Sequence, residues 1–417
     1  MYTIKLSKYN ILILFFGDDM KKNYISILLN SIIFLFIVIC IIIFPEYAYK
    51  SSLDGLNLWF NVVCPALLPF FICVEILIGL GVVNFIGAIF KPVMSNLFNI
   101  PGEGAFAFVM SVASGYPVGA KIVANLRSKN ICNKVEAQRM ISLCSTSGPL
   151  FIIGAVSVGI FNNPKIATIL LFSHYLSALS CGLIMRFYKI NEKNISSTSF
   201  TNPFNELVAY RKKDKRPLGQ IIADSVKNSV NLILLVGGYI VFFSVVSKIL
   251  QITGAFNIIL KYVKILFPII NVTPDAWSTF FIGFLEVTNG IKECAKLSIP
   301  YMTKIALVSF FIGFGGISVN AQVSGIILDT DINFPIYLVL KVFQGITAAL
   351  YSIVLIKFTQ YVPAFNNYLF YPEYLDNTWL NSIILSFKNL ISILIVLMFL
   401  SLLIWFLNLF QKKTMLH

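Results

Sequence analysis

Two apolar stretches, Ala105 to Pro117 and Ser147 to Phe161, are too short to cross a bilayer, yet they sit among runs that are long enough, and this mixture restricts the chain more than any other feature. A helix needs about 20 apolar residues to span the hydrocarbon. Tyr24 to Phe44, Leu56 to Val83 (interrupted by Pro65 and Pro69) and Ile166 to Tyr188 meet that length. Shorter segments survive at membrane depth only when they are buried in protein or line a cavity, because their free backbone groups find no water there. The expected fold is therefore an all-α polytopic membrane protein with re-entrant or broken helices around a pathway. With 417 residues, 58% hydrophobic and 12% charged, the chain lies far from soluble usage. The net charge of +14 falls in short basic stretches between apolar runs, which sets topology and gives no reason to expect nucleic acid as a partner.

The second half repeats the punctuation of the first at an offset near 171 residues. Asp54 pairs with Asp224, Asn84 with Ala255, the Ser114 to Lys121 segment with Val287 to Lys292, and Pro164 with Pro335. A polar linker, 191–220, carries Arg211, Lys212, Lys213, Lys215 and Arg216 and is expected in the cytoplasm. The organisation that follows is an N-terminal segment with the first transmembrane helix (1–50), a first repeat (51–190), the linker, a second repeat (221–358), and an extracytoplasmic loop with a last helix (359–417). Met20, followed by Lys21 and Lys22, is the expected initiator of an uncleaved first helix. Three crossings per repeat invert the second copy, giving two inverted repeats plus extra terminal helices. Val226 to Val246, Ile305 to Val323 and Ile336 to Ile356 cross, Tyr361 to Asn381 lies outside, and Ile383 to Phe410 returns to Lys412 and Lys413. One conflict stands: Lys292, Lys296 and Lys304 fall outside and Asp329 and Asp331 inside, which eases if those lysines line the pathway.

Candidate solute contacts cluster at the helix breakers. Ser114, Gly115, Tyr116, Gly119 and Lys121 combine Gly and Pro with a hydroxyl and a cation, forming either a punctuated turn or an anion site on free backbone N–H groups. The segment is not a phosphate loop, because Gly115 and Gly119 are too close and Ile122 replaces the required hydroxyl. Thr146, Ser147 and Gly148, just before Pro149, either cap a helix or bind a carboxylate. In the second half, Glu286, Thr288, Asn289, Gly290 and Lys292 stand opposite the first cluster, with Glu286 a carboxylate suited to proton coupling. Gly315, Gly316, Ser318, Asn320 and Gln322 put flexible backbone and amides into an apolar helix, either for close packing or for solute. Glu75 is a second carboxylate in an apolar run. The seven cysteines show no metal or disulfide spacing, and His174 is the one internal histidine, read as a packing residue. No catalytic constellation is present, so neither an enzyme nor a metal or cofactor is expected.

Ser114 to Ile122, Cys144 to Gly154, Glu286 to Gly290 and Gly315 to Val323 together resemble the YlbJ-type (SpoVV) sporulation integral membrane proteins of spore-forming Firmicutes. The resemblance runs from about Met20 to near the end, and it departs at Phe343-Gln344-Gly345, where a His before the Gly is expected. It implies a nucleoside-recognition (Gate) domain, similar to parts of concentrative nucleoside transporters, with paired re-entrant hairpins around a central solute site. It also implies a role in carrying dipicolinate out of the mother cell across the outer forespore membrane. The expected partners are a small anionic, dipicolinate-like solute and the lipid bilayer, with a homo-oligomer left open. A nucleoside-type carrier is the second reading. A non-transporting scaffold for spore-envelope assembly is the third, and it predicts that Ala at Lys121, Ser147 or Glu286 leaves function intact.

Overall fold

The structure, a computed structural model, describes residues 18–190, 202–266 and 273–361. The predicted last helix, Ile383 to Phe410, and the loop before it from 362 onward lie outside the described residues. Every regular element among the described residues is helical. They are α1 (Asp18–Ile43), α2 (Pro45–Gly79), α3 (Val82–Phe98), α4 (Gly104–Ser114), α5 (Val118–Ser128), α6 (Lys134–Leu143), α7 (Phe151–Ile160), α8 (Ile166–Met185), α9 (Pro203–Lys213), α10 (Leu218–Ile252), α11 (Ala255–Leu266), α12 (Pro274–Leu285), α13 (Val287–Lys296), α14 (Tyr301–Phe314), α15 (Gly316–Ile327) and α16 (Phe334–Tyr361).

Among the described residues, five spans are long and apolar enough to cross a membrane: α2, α8, α10, α14 with α15, and α16. Their outward faces are apolar, as Val339, Ile346, Leu350 and Val354 on α16 illustrate, each about half exposed or more. Such a surface is costly in water and neutral in lipid. The span beginning at Leu56 in the sequence starts earlier, at Pro45. Pro65 cannot donate a backbone bond, and the helix absorbs it by widening to a π-turn over Trp59–Val63, with Cys64 N–H donating to the Trp59 carbonyl.

Among the described residues, seven helices, α2 to α8, precede α9 and seven, α10 to α16, follow it. The packing is reciprocal: α2 lies on α10, α8 on α16, α5 on α15, α13 on α7, α6 on α16 and α14 on α8. The two main apolar cores follow suit. One joins Ala105, Ala120, Met140 and Cys144 of the first half to Val323, Ile327 and Tyr337 of the second. The other joins Ile152, Val156 and Leu170 to Val287, Ile291, Val308 and Phe311. Each core takes residues from both halves.

The basic linker side is held by ion pairs and caps. Lys91 bonds Glu206 at 3.1 Å, and Arg211 donates to the Gly79 carbonyl. Arg216 grips Asp214 at 2.7 Å and holds its carboxyl down at about 2. Arg127 forms a two-pronged bond to Asp331, at 2.7 and 2.9 Å, and keeps that carboxyl below its ordinary value. This bond joins the acidic loop before α16 to the basic end of α5, so Asp331 sits on the side of Arg127 with its charge compensated. Lys296 pairs with Glu293, and Lys304 donates to the Ala295 carbonyl. Neither these lysines nor Lys292 lines the central cavity, so the condition that would ease the charge conflict is not met, and Lys296 and Lys304 are held by local partners instead.

Candidate functional site

Glycine makes the centre of the molecule possible. Helices α4 and α5 form a hairpin in which Gly119 lies so close to Ser111 and the Cys144 carbonyl that a Cβ would sit 1.9 Å from that oxygen. Its tip is Gly115, at φ 73° and ψ −160°, a region open essentially to glycine alone. A Cβ on Gly115 would stand 2.6 Å from the Gly148 nitrogen, so the tip touches the unwound stretch between α6 and α7. The second half repeats the device. Gly290 and Gly283 let α12 and α13 close into a hairpin with its tip at Glu286. There the unwound point of α14 and α15, with Gly315 and Gly316 both at positive φ, meets the tip, and a Cβ on Gly316 would be 3.0 Å from the Val287 nitrogen.

Between the tips lies a cavity of about 80 Å³. It has room for several waters at about 10–15 Å³ each. Its walls are apolar, from Leu67, Phe70, Phe71, Phe151, Val236 and Ile240, and its polar groups come from the four breaks and their flanks. Ser114, Gly115 and Tyr116 precede α5; Ser147 and Gly148 precede α7; Glu286, Val287 and Thr288 open α13; Gly315 and Ser318 flank the start of α15. Four helix starts therefore border one space, and the first turn of a helix carries backbone N–H groups without an intrahelical acceptor, a general setting for an anion. One start is already occupied: the Glu286 carboxylate accepts from Thr288 N–H at 3.0 Å and Asn289 N–H at 2.6 Å. Ser114 Oγ is buried in the lining and has no hydrogen-bond partner among the described residues.

The unwound stretch 144–149 is fixed by side chains from distant helices. His174 Nε2 accepts the Ser147 N–H at 2.9 Å, and the neighbouring Tyr175 hydroxyl donates to the Ser147 carbonyl at 3.0 Å. His174 is thus a buried histidine bonded to backbone. Lys341 of α16 is 1% exposed and donates to the Tyr116 hydroxyl at 2.5 Å, the Ser145 carbonyl at 3.0 Å and Gln344 Oε1 at 2.6 Å. Sequence reasoning missed Lys341. A single cation in the run Ile336 to Ile356, three residues before Gln344, is the signal that was there to find.

Of the residues singled out from sequence, Ser114, Gly115, Tyr116, Ser147, Gly148, Glu286, Thr288, Gly315, Ser318 and Gln322 line the cavity. The others do not. Gly119, Gly290 and Gly316 serve backbone contact between helices. Thr146 is spent on Ser111, hydroxyl to hydroxyl at 2.7 Å. Asn289 is bound to Ser244 and to the Ile240 carbonyl, and Asn320 returns to the Phe314 and Gly316 carbonyls freed by the break. Lys292 is partly buried away from the lining. Lys121 lies a turn along α5 and faces a separate, open groove with Glu75, Asn125, Asn228 and Asn231. That groove is bounded by Pro117, Val118 and Leu235, next to cavity residues Tyr116 and Val236, and it lies toward the linker end of α10. No cluster of metal-ligating side chains occurs among the described residues.

Residues 60–191 match the Gate family, described as nucleoside recognition. The sporulation integral membrane protein YlbJ of Bacillus subtilis (strain 168) is 38% identical over 345 residues, which cover 81% of this chain and 85% of that protein.

Proposed function

Because the chain belongs to the YlbJ family of sporulation integral membrane proteins, we propose that its central cavity carries a small organic anion, dipicolinate in the first instance, across the outer forespore membrane. The observation that supports this most is the convergence of four helix starts on one space inside a membrane protein. Helix N-termini at that depth stabilise negative charge through the positive end of the helix dipole. Phe70, Phe71, Phe151 and Tyr239 supply flat faces for an aromatic ring. At about 80 Å³ the space takes a carboxylate group, and a whole ring enters as the hairpin tips part. In this reading the two halves are inverted copies that rock about the tips, and the Lys121 groove is the approach from the linker side. The protein moves its solute unchanged and performs no bond chemistry.

Uptake of radiolabelled dipicolinate into vesicles containing the purified full chain tests the reading. Accumulation above that of empty vesicles, competed by unlabelled dicarboxylates, is expected. Folded, monodisperse protein that neither transports nor binds any such anion would overturn it. The nucleoside-recognition match over residues 60–191 favours a second reading, a nucleoside-type carrier. Thermal stabilisation by nucleosides and not by carboxylates would select that one.

A further inference from the structure

We propose that Lys341 is a positioning residue that gives the cavity its preference for anions, acting through the hydroxyl of Tyr116. The inference rests on the reading of the cavity as a solute site and adds the source of its charge selectivity. Among the buried residues described, the cations are Arg139 and Lys341. Arg139 is spent on the carbonyls of Asn99, Tyr188 and Lys189 at the periphery. Neither Lys121 nor Lys292 lines the cavity, and the carboxylate that does, Glu286, would repel an anion if left uncompensated.

Lys341 has three oxygen acceptors, matching the three donors of an ammonium group, and all three are uncharged. Its charge is therefore not neutralised by a partner it bonds. A buried lysine in a membrane helix costs several kcal/mol, which marks it as functional by default. The charge reaches the cavity by one route visible in the geometry. The ammonium lies 4.8 Å from the centre of the Tyr116 ring and donates to its hydroxyl, and Tyr116 lines the cavity. Having accepted from Lys341, that hydroxyl keeps one O–H to donate. A donor polarised by a cation behind it forms the stronger, charge-assisted class of hydrogen bond with a carboxylate. It gives a neutral solute no comparable advantage.

Purified full-length protein is titrated with pyridine-2,6-dicarboxylate and, in parallel, with the neutral pyridine-2,6-dicarboxamide, in the wild type and in Lys341→Met, Lys341→Arg, Tyr116→Phe and the double variant Lys341→Met/Tyr116→Phe. Loss of a charge-assisted bond predicts a dicarboxylate affinity about tenfold weaker in Lys341→Met and in Tyr116→Phe, with the dicarboxamide changed by less than about twofold. The double variant is expected to be no weaker than the worse single one, since both break the same chain, and Lys341→Arg is expected to recover most of the preference. Equal losses for both ligands, or an unchanged dicarboxylate affinity in Tyr116→Phe, would overturn the proposal. Should Lys341→Met fail to fold, Tyr116→Phe and Lys341→Arg decide it on the same criteria. Wild type that binds neither compound would instead sink the underlying reading of the cavity.

Discussion

Substituting Gly115 by Ala tests the contact on which the central geometry depends. At φ 73° and ψ −160° an L-residue is strained by about 1–3 kcal/mol before any neighbour is considered. The new methyl would also stand 2.6 Å from the Gly148 nitrogen and 3.2 Å from its Cα. Those are backbone atoms pinned by His174 and Tyr175 through Ser147, so they cannot swing aside as a side-chain end would. Relief requires the hairpin tip and the unwound stretch to separate, and overpacking of this kind costs a further ~1–3 kcal/mol. The total is about 2–6 kcal/mol. Gly238→Ala is the control, because a Cβ there meets nothing within 4 Å and the position is helical. It is expected to be neutral or to stabilise by up to ~1 kcal/mol. The assay is residual folded fraction after graded heating in detergent, read by size-exclusion chromatography, with vesicle uptake measured alongside. Gly115→Ala should lose both folded fraction and uptake while Gly238→Ala keeps both. If Gly115→Ala matches the control, the two breaks are not in backbone contact.

Glu286→Ala leaves two buried N–H groups without their acceptor and should cost about 2–4 kcal/mol in the same heating assay, whereas Glu286→Gln, which keeps one oxygen, should recover roughly half. Asp331→Asn should flatten the acid limb of stability. The carboxyl's folded value lies below its ordinary one, so the Arg127 bond contributes fully above about pH 4 and is lost as pH falls through the lowered value. The pair is partly exposed, so the change is held to ~0–1 kcal/mol, read as thermal stability of both proteins between pH 6 and pH 3. Lys121→Ala should leave solute affinity within about twofold but slow uptake at low salt, with the deficit fading near physiological ionic strength as the Debye length shrinks to about 8 Å. An affinity loss of tenfold would instead place Lys121 at the solute.

The interruptions of the first half were readable because glycine, proline and hydroxyl residues mark the ends of its short apolar segments, and the helices part at Gly115 and beside Ser147; Glu286, read as a carboxylate within an apolar stretch, and Gly315, read as flexible backbone within the crossing Ile305 to Val323, are breaks that the sequence did not announce. Which neighbour of a break faces the cavity was less readable. Lys121 is close to Tyr116 in sequence, but the intervening turn of α5 carries it into the groove, while Gln322 on α15 does reach the lining. The residues that hold the centre together were the least accessible. His174 lies 27 residues from the amide it accepts, and Lys341 lies 225 residues from the hydroxyl it bonds. No local periodicity encodes such pairs. The early start of α2 was hidden for a different reason: Glu46, Lys50 and Asp54 read as a loop, although Glu46 and Lys50 form an i,i+4 pair on one helical turn.

The mixed ownership of the two apolar cores bears on how the chain is made. A ribosome releases Ala105, Met140, Ile152 and Leu170 long before the Val323, Tyr337, Ile291 and Phe311 that cover them. The first half must therefore wait in the bilayer with its half-helices unsheltered until the second arrives. Assembly is then a single late closure, with no stepwise maturation of independent units, and a chain cut within 191–220 should regain its shape only when both pieces are synthesised together.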